Sequence, residues 1–332
     1  MTENNTPDTQ TDTLSSEAFL EELLGIVPDK ETPVGEQRSG FTCLKVLPED
    51  HSFPENSSSR RMDRFASVRR LENPVKLHTP RNFATLKTRV LDACPHAPQA
   101  VEVLACCDEE WSEWGKVVPM RPVLLVGPPG CGKSTVARLY HEMAGYPVKT
   151  INVSGMTDAL SLMGVHQSFG EAKPSLVTEW MASTELANPC IILDEIDKAP
   201  RGGQHGNVQD VMLQFLEGME AGSFNDVYLN LPVNAGYVRW VLTANDLAQV
   251  SEPLRSRCRI VQVDQPRGKD VLHLARRIMA EIARERDLLP QWFTLSQEEE
   301  ELVQRYCTKD LRSMRQYVEV IMKDQMTYWK VA

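Results

Sequence analysis

The chain has 332 residues, 42% of them hydrophobic, and a formal net charge of −10, a length that holds about two domains of ordinary globular composition. No apolar run approaches the ~20 residues that span a bilayer, the polar start Met1-Thr2-Glu3-Asn4-Asn5 does not read as a secretory signal, and the acidity argues against the basic footprint of a nucleic-acid binder. Eight scattered cysteines without a C-x-x-C pair suit reduced thiols and a cytoplasmic location.

In chain order, residues 1–60 hold 12 acids and 4 bases, a net −8 that leaves −2 for the remainder. With their Thr, Ser, Asn and Pro they read as a largely disordered acidic leader. One island, Ser15 to Gly25, has a capping serine, helical apolar spacing and a closing glycine, and is a possible docking helix. Residues 61–80, with Arg61, Arg64, Arg69 and Arg70, read as a basic linker. Residues 81–265 carry two helical patterns, Asn82–Leu91 and Pro98–Trp111. Short apolar runs follow at Pro122–Val126, Val148–Val153, Cys190–Leu193, Arg239–Leu242 and Arg259–Val263. Alternation of such runs with helices predicts an α/β fold, a parallel sheet flanked by helices. Residues 266–332 show three helical patterns, near 268–286, 296–306 and 310–328, and predict a small all-helical lid domain. Cys94, His96, Cys106 and Cys107 match no common zinc-finger spacing, so no metal is expected there.

The chemistry gathers at Gly127-Pro128-Pro129-Gly130-Cys131-Gly132-Lys133-Ser134-Thr135. This is a G-x-x-x-x-G-K-[ST] loop between a predicted strand and a predicted helix, the pattern of a P-loop that cradles phosphates. Glycines let backbone N–H groups turn toward an anion, and the following helix N-terminus favours the same charge. Lys133 places a cation on the β- and γ-phosphates, and the Ser134 hydroxyl is a ligand for Mg²⁺. ATP with Mg²⁺ is the expected cofactor pair. Cys190–Glu195 ends a strand in two carboxylates: Asp194 to hold Mg²⁺ and Glu195 to polarise a water. Asn245 ends the strand Val241–Ala244, where it orients that water, contacts the γ-phosphate or simply caps a turn. Among Arg255, Arg257 and Arg259, one arginine can reach a neighbouring subunit's phosphate or form a surface ion pair.

In order and spacing, GPPGCGKST, IILDEID, LTAND and PLRSRC resemble an AAA+ ATPase. More narrowly, residues 95–325 resemble the ATPase module of Lon-type proteases. Asp158, Gly164, Ser168–Pro174, Phe224–Leu229 and Asp310–Arg315 support this. The resemblance implies ATP hydrolysis in a ring, usually hexameric, with Arg257 as a finger acting on the neighbour's nucleotide and Arg312 as a sensor reaching back from the lid. His96-Ala97-Pro98 would stand near the adenine. The family's substrate-gripping pore loop falls on Ser168–Ser175. Phe169 keeps its aromatic residue, whereas Gly170 and Glu171 replace an aliphatic residue and a glycine. With the chain ending at Ala332, no Ser-Lys peptidase segment is expected. Two readings stand: a remodeller of a protein client, with the leader recruiting client or adaptor, and a nucleotide-switched scaffold that does not thread. A DNA motor is disfavoured by the acidity.

Overall fold

A computed structural model describes residues 42–48, 51, 53, 65–80, 82–156, 160–169, 172–199, 207–307 and 310–331. The proposed docking helix at 15–25, together with Asp158, Gly170 and Glu171, lies outside the described residues.

Two short strands, β1 (Cys43–Leu44) and β2 (Val75–Lys76), pair antiparallel. Helices α1 (Phe83–Ala93) and α2 (Pro98–Trp114) follow, then β3 (Val123–Val126), α3 (Lys133–Met143) and β4 (Val148–Asn152). Next come α4 (Leu160–Met163), α5 (Leu176–Thr184), β5 (Cys190–Asp194), α6 (Val208–Leu216) and α7 (Gly218–Ala221). A hairpin of β6 (Phe224–Asp226) and β7 (Leu231–Val233) precedes β8 (Arg239–Ala244), α8 (Glu252–Arg257) and β9 (Arg259–Gln262). The chain closes with α9 (Lys269–Glu285), α10 (Gln297–Tyr306) and α11 (Leu311–Val331).

Five strands form one parallel sheet in the order β4-β5-β8-β3-β9. Both faces are covered, which explains why the inner strands β3 and β5 read as unbroken apolar runs, Val123–Val126 and Cys190–Leu193. On β3, Leu124 and Val126 join one core while Val123 and Leu125 join the other. On β5, Ile191 and Leu193 face the first, Cys190 and Ile192 the second. The second core is closed by α1, α2 and α3 through Val90, Leu104 and Tyr140, the first by α5, α6 and α8 through Met181, Phe215 and Leu254. The three C-terminal helices bury their own cluster around Leu274, Met279, Val303, Val318 and Met322. A capping box between Ser296 and Glu299 starts α10.

The expectation of a polar leader to residue 60 and a solvated linker over 61–80 is corrected where the segment is described. Val46, Leu47, Phe53, Val68, Leu71, Val75 and Leu77 are all buried in the first core. Phe53 stacks on Phe65 with ring centroids 4.6 Å apart. The Ala187 N–H donates to the Lys76 carbonyl at 2.8 Å, so the segment is also tied to the loop before β5. Burial of those apolar side chains outweighs the polar residues between them, because each fully buried one contributes about 1.5–3 kcal/mol. Among the described residues, no helix is long and apolar enough to cross a membrane.

Candidate nucleotide site

The first βα turn of the sheet is built for close approach. A Cβ on Gly127 would lie 2.1 Å from the Val263 carbonyl oxygen, and one on Gly130 would lie 2.4 Å from the Asp310 Cβ. Gly130 also has φ +76°, in the left-handed region that favours glycine. From this loop α3 starts at Lys133, pointing its N-terminus into a cleft at the carboxyl ends of the strands.

Lys133 is buried, and its Nζ donates to the Gly127 and Pro128 carbonyls at 2.9 and 3.0 Å and to Asn245 Oδ1 at 2.9 Å. An ammonium has three donors, so all are engaged within the loop and the β8 terminus. One residue on, the Ser134 hydroxyl donates to Asp194 Oδ1 at 2.5 Å, and that same oxygen accepts from Thr243 Oγ1 at 2.6 Å. Thr243 in turn accepts from the Glu195 N–H at 3.0 Å. Glu195 has φ 60°, an uncommon backbone for a residue other than glycine. Its half-exposed carboxylate is held by Lys198 Nζ at 2.6 Å. Asp197 accepts the backbone N–H groups of Asn245 and Asp246 at 3.1 and 3.2 Å, which fixes Asn245 above the loop.

The helical lid reaches the same place. The Leu311 N–H donates to the Gly130 carbonyl at 2.9 Å, and the exposed Arg312 lines the cleft beside Pro129, Ser134 and Glu195. Asp310 caps α11 by accepting from the Ser313 N–H at 2.6 Å and its hydroxyl at 2.8 Å, bonds that hold its carboxyl below the usual range. On the other side, His96 Nε2 donates to the Cys131 carbonyl at 2.8 Å, and burial holds the imidazole below its ordinary pKa.

Of the residues singled out in the sequence, Pro129, Gly130, Gly132, Lys133, Ser134, Thr135, Asp194, Glu195, Asn245 and Arg312 line this one cleft. Gly127, Pro128 and the fully buried Cys131 form the floor of the loop beneath them. Arg257 and Phe169 stand apart. Val123 pairs with Arg259 in register, so Arg257 lies before the first residue of β9, at the other end of the sheet. The four residues of the strand, about 10 Å of length, intervene. Its guanidinium donates through Nε and Nη2 to Glu217 Oε2, at 2.8 and 2.5 Å. Phe169 is 66% exposed at the tip of a loop outside the cleft.

Sequence reasoning missed Thr243 and Asp197. Thr243 is the one hydroxyl in β8 and is fully buried. That polar letter in the apolar run Val241–Ala244 was the available signal. Ser134 Oγ and Asp194 Oδ1 form a pair of hard oxygen donors, the ligand type that Mg²⁺ takes, and the residues present therefore fit a magnesium-bound triphosphate.

Comparison with known proteins agrees with this geometry. Residues 123–265 match the family model described as ATPase family associated with various cellular activities (AAA). The chain is 26% identical to the mitochondrial Lon protease homologue of Bos taurus over 324 residues, 92% of this chain and 32% of that protein. It is 33% identical to the peroxisomal Lon protease homologue 2 of Pichia angusta over 141 residues, 42% of this chain and 15% of the relative. The chain thus spans less than a third of the length of either relative. A closed-state cryo-EM reconstruction of Hsp104 with ATPγS and FITC-casein shares the fold, with TM-score 0.50 and 14% identity over 61% of this chain and 39% of that one. The chain carries an AAA domain of P-loop fold, in a region similar to the ATPase part of Lon protease homologues, followed by a helical region.

Proposed function

We propose that this protein hydrolyses ATP to ADP and phosphate as a ring, with six subunits the expected number, and uses the cycle to remodel a protein client. The observation that carries the reading is the convergence of Lys133, Ser134, Asp194, Glu195 and Asn245 with the lid residue Arg312 in one cleft. Lys133 is the phosphate cation, and the loop N–H groups and helix N-terminus supply the rest of the anion site. Ser134 and Asp194 would hold Mg²⁺, which supplies charge neutralisation on the phosphates when bound. Glu195 takes the proton of the attacking water, and Asn245 orients that water. Since Arg257 lies at the far end of the sheet, it serves the nucleotide of a neighbouring copy, and Glu217 is its partner until then. Arg312 reads the nucleotide from the lid.

The exposed Phe169 supports contact with a polypeptide, as does the casein named with the Hsp104 reconstruction. A nucleotide-switched scaffold is the second reading, favoured by Gly170 and Glu171 beside that aromatic residue. No nucleic-acid or membrane partner belongs to either reading, and the eight scattered cysteines without a disulfide pattern favour a reducing compartment such as the cytoplasm. The test traps Glu195→Gln with ATP and identifies what co-purifies. Threaded polypeptide supports remodelling, a stoichiometric folded partner supports the scaffold, and a variant that turns over ATP normally removes Glu195 as the base.

A further inference from the structure

Outside the nucleotide cleft two acidic side chains are buried among the described residues, Asp108 and Asp226. Asp226, the last residue of β6, is 0% exposed and its carboxylate collects four hydrogen bonds. Oδ2 accepts from the Ser175 N–H at 2.9 Å and from Thr178 Oγ1 at 2.6 Å. Oδ1 accepts from the Tyr228 and Leu229 N–H groups at 2.9 and 3.0 Å. The first pair belongs to the start of α5, where Ser175 is the helix cap, and the second to the turn of the β6–β7 hairpin.

Those two places are the stems of two separate excursions from the sheet. Ser175 closes the loop that carries Phe169, whose two arms meet where the Val165 N–H donates to the Lys173 carbonyl at 2.9 Å. Two further bonds stitch that loop to the hairpin: the Val227 N–H to the Met163 carbonyl at 3.2 Å, and Gln167 Nε2 to the Tyr228 carbonyl at 2.7 Å. Asp226 is the side chain common to both. A carboxylate is acceptor-only, so it satisfies donors on both sides at once, whereas an amide in either orientation turns an N–H₂ toward two of them.

We infer that Asp226 is a positioning residue that fuses the Phe169 loop and the β6–β7 hairpin into one moving body. The hairpin is in turn seated on the N-terminal segment, since the Asn234 N–H donates to the Val46 carbonyl at 2.8 Å and Tyr228 meets Phe65 edge-on at 6.0 Å. Force on the exposed aromatic tip therefore passes to the hairpin and the segment beneath it. The consequence for clients rests on the remodelling function proposed above; the mechanical coupling does not.

The experiment compares amide hydrogen exchange in the full chain and in Asp226→Asn, at matched ATP affinity. The result expected is that Ser175, Tyr228 and Leu229 lose protection about ten- to a hundredfold, and that Val165 and Val227, which Asp226 does not touch, lose it with them. Retained protection at Val165 and Val227 would overturn the inference. Stimulation of ATP turnover by a permanently unfolded polypeptide supplies a second readout. It should fall in Asp226→Asn to the level of Phe169→Ala, and the double variant should fall no further; additive losses count against the coupling. Should Asp226→Asn fail to fold, Thr178→Val removes one of the four donors and should loosen the hairpin amides of Tyr228 and Leu229 across the joint; unmoved amides there would equally refute it. A wild-type chain that no polypeptide stimulates defeats the client reading alone, and the exchange pattern then decides this one.

Discussion

Strand β8 has a polar cluster at each end, and the two are opposites. At its start, Arg239 lies under the sheet with Asp108, both side chains 4% exposed. Its guanidinium donates to both Asp108 oxygens, at 3.1 and 2.9 Å, and sits 4.1 Å from the centre of the Tyr146 ring. Tyr140 and Tyr146 each donate to Asp108 at 2.6 Å. Burial pushes both phenols up, so they remain donors. Just past the other end, Asn245 meets a lysine whose partners are mostly backbone carbonyls, beside the Glu195–Lys198 ion pair open to solvent. The first cluster is closed, with bonds shared among its own side chains. The second is open, and every bond of Lys133 is one that a phosphate oxygen can replace. Burial alone therefore does not mark the chemistry; exchangeable partners at the carboxyl edge of the sheet do.

The sharpest way to break that contrast is Lys133→Ala, which should abolish nucleotide binding measured by calorimetry while leaving the fold intact. Unaltered ATP affinity would remove the open cluster from function. Glu195→Gln should keep binding and slow turnover ~10²–10⁴-fold, the scale of a lost general base, as read by phosphate release. Asp108→Ala addresses the closed cluster: leaving Arg239 buried and unpaired should cost about 3–5 kcal/mol in denaturant unfolding, with ATP affinity per folded molecule unchanged. A loss of affinity without a loss of stability would reverse the two assignments.

The smallest expected effect concerns pH. His141, fully buried against the closed cluster, is pushed down to about 3, first by burial and then by Arg239. Its folded pKa lies below the unfolded value near 6.5, so the unfolded chain binds the extra proton between those values. Stability is then fully present above pH 6.5 and declines as pH falls toward 3, by about 1.4 kcal/mol per unit in the steep part. His141→Leu should flatten the dependence of the urea midpoint between pH 6.5 and 4, and an unchanged slope would remove His141 as its source.

Much of this was legible in the letters. The phosphate loop, the strand ending in Asp194 and Glu195 and the strand ending in Asn245 are local patterns, and a parallel sheet brings their ends together by topology alone. Other features depend on long-range partners that no local pattern announces. Thr243 is one hydroxyl whose meaning comes from Asp194, 49 residues away. Arg257 reads as an exposed cation until Glu217 is placed beside it, 40 residues off. Asp226 belongs to a run quoted only for its resemblance, and its role needs donors from Ser175 and Thr178, which lie on another element. The N-terminal segment misled most, because its apolar letters come in short groups, Leu44-Lys45-Val46-Leu47, Phe53 and Val75-Lys76-Leu77, separated by polar stretches and too brief to show a sustained helical or strand period.

That segment also fixes where the chain can be shortened. A polypeptide begun at residue 81 would shed seven side chains from the larger of the sheet's two cores and bare the apolar faces they cover, Tyr228 among them. Such a fragment would be prone to self-association through the uncovered patch. One begun near residue 42 would keep those seven side chains, so the folding unit reaches at least some forty residues upstream of the first helix of the sheet.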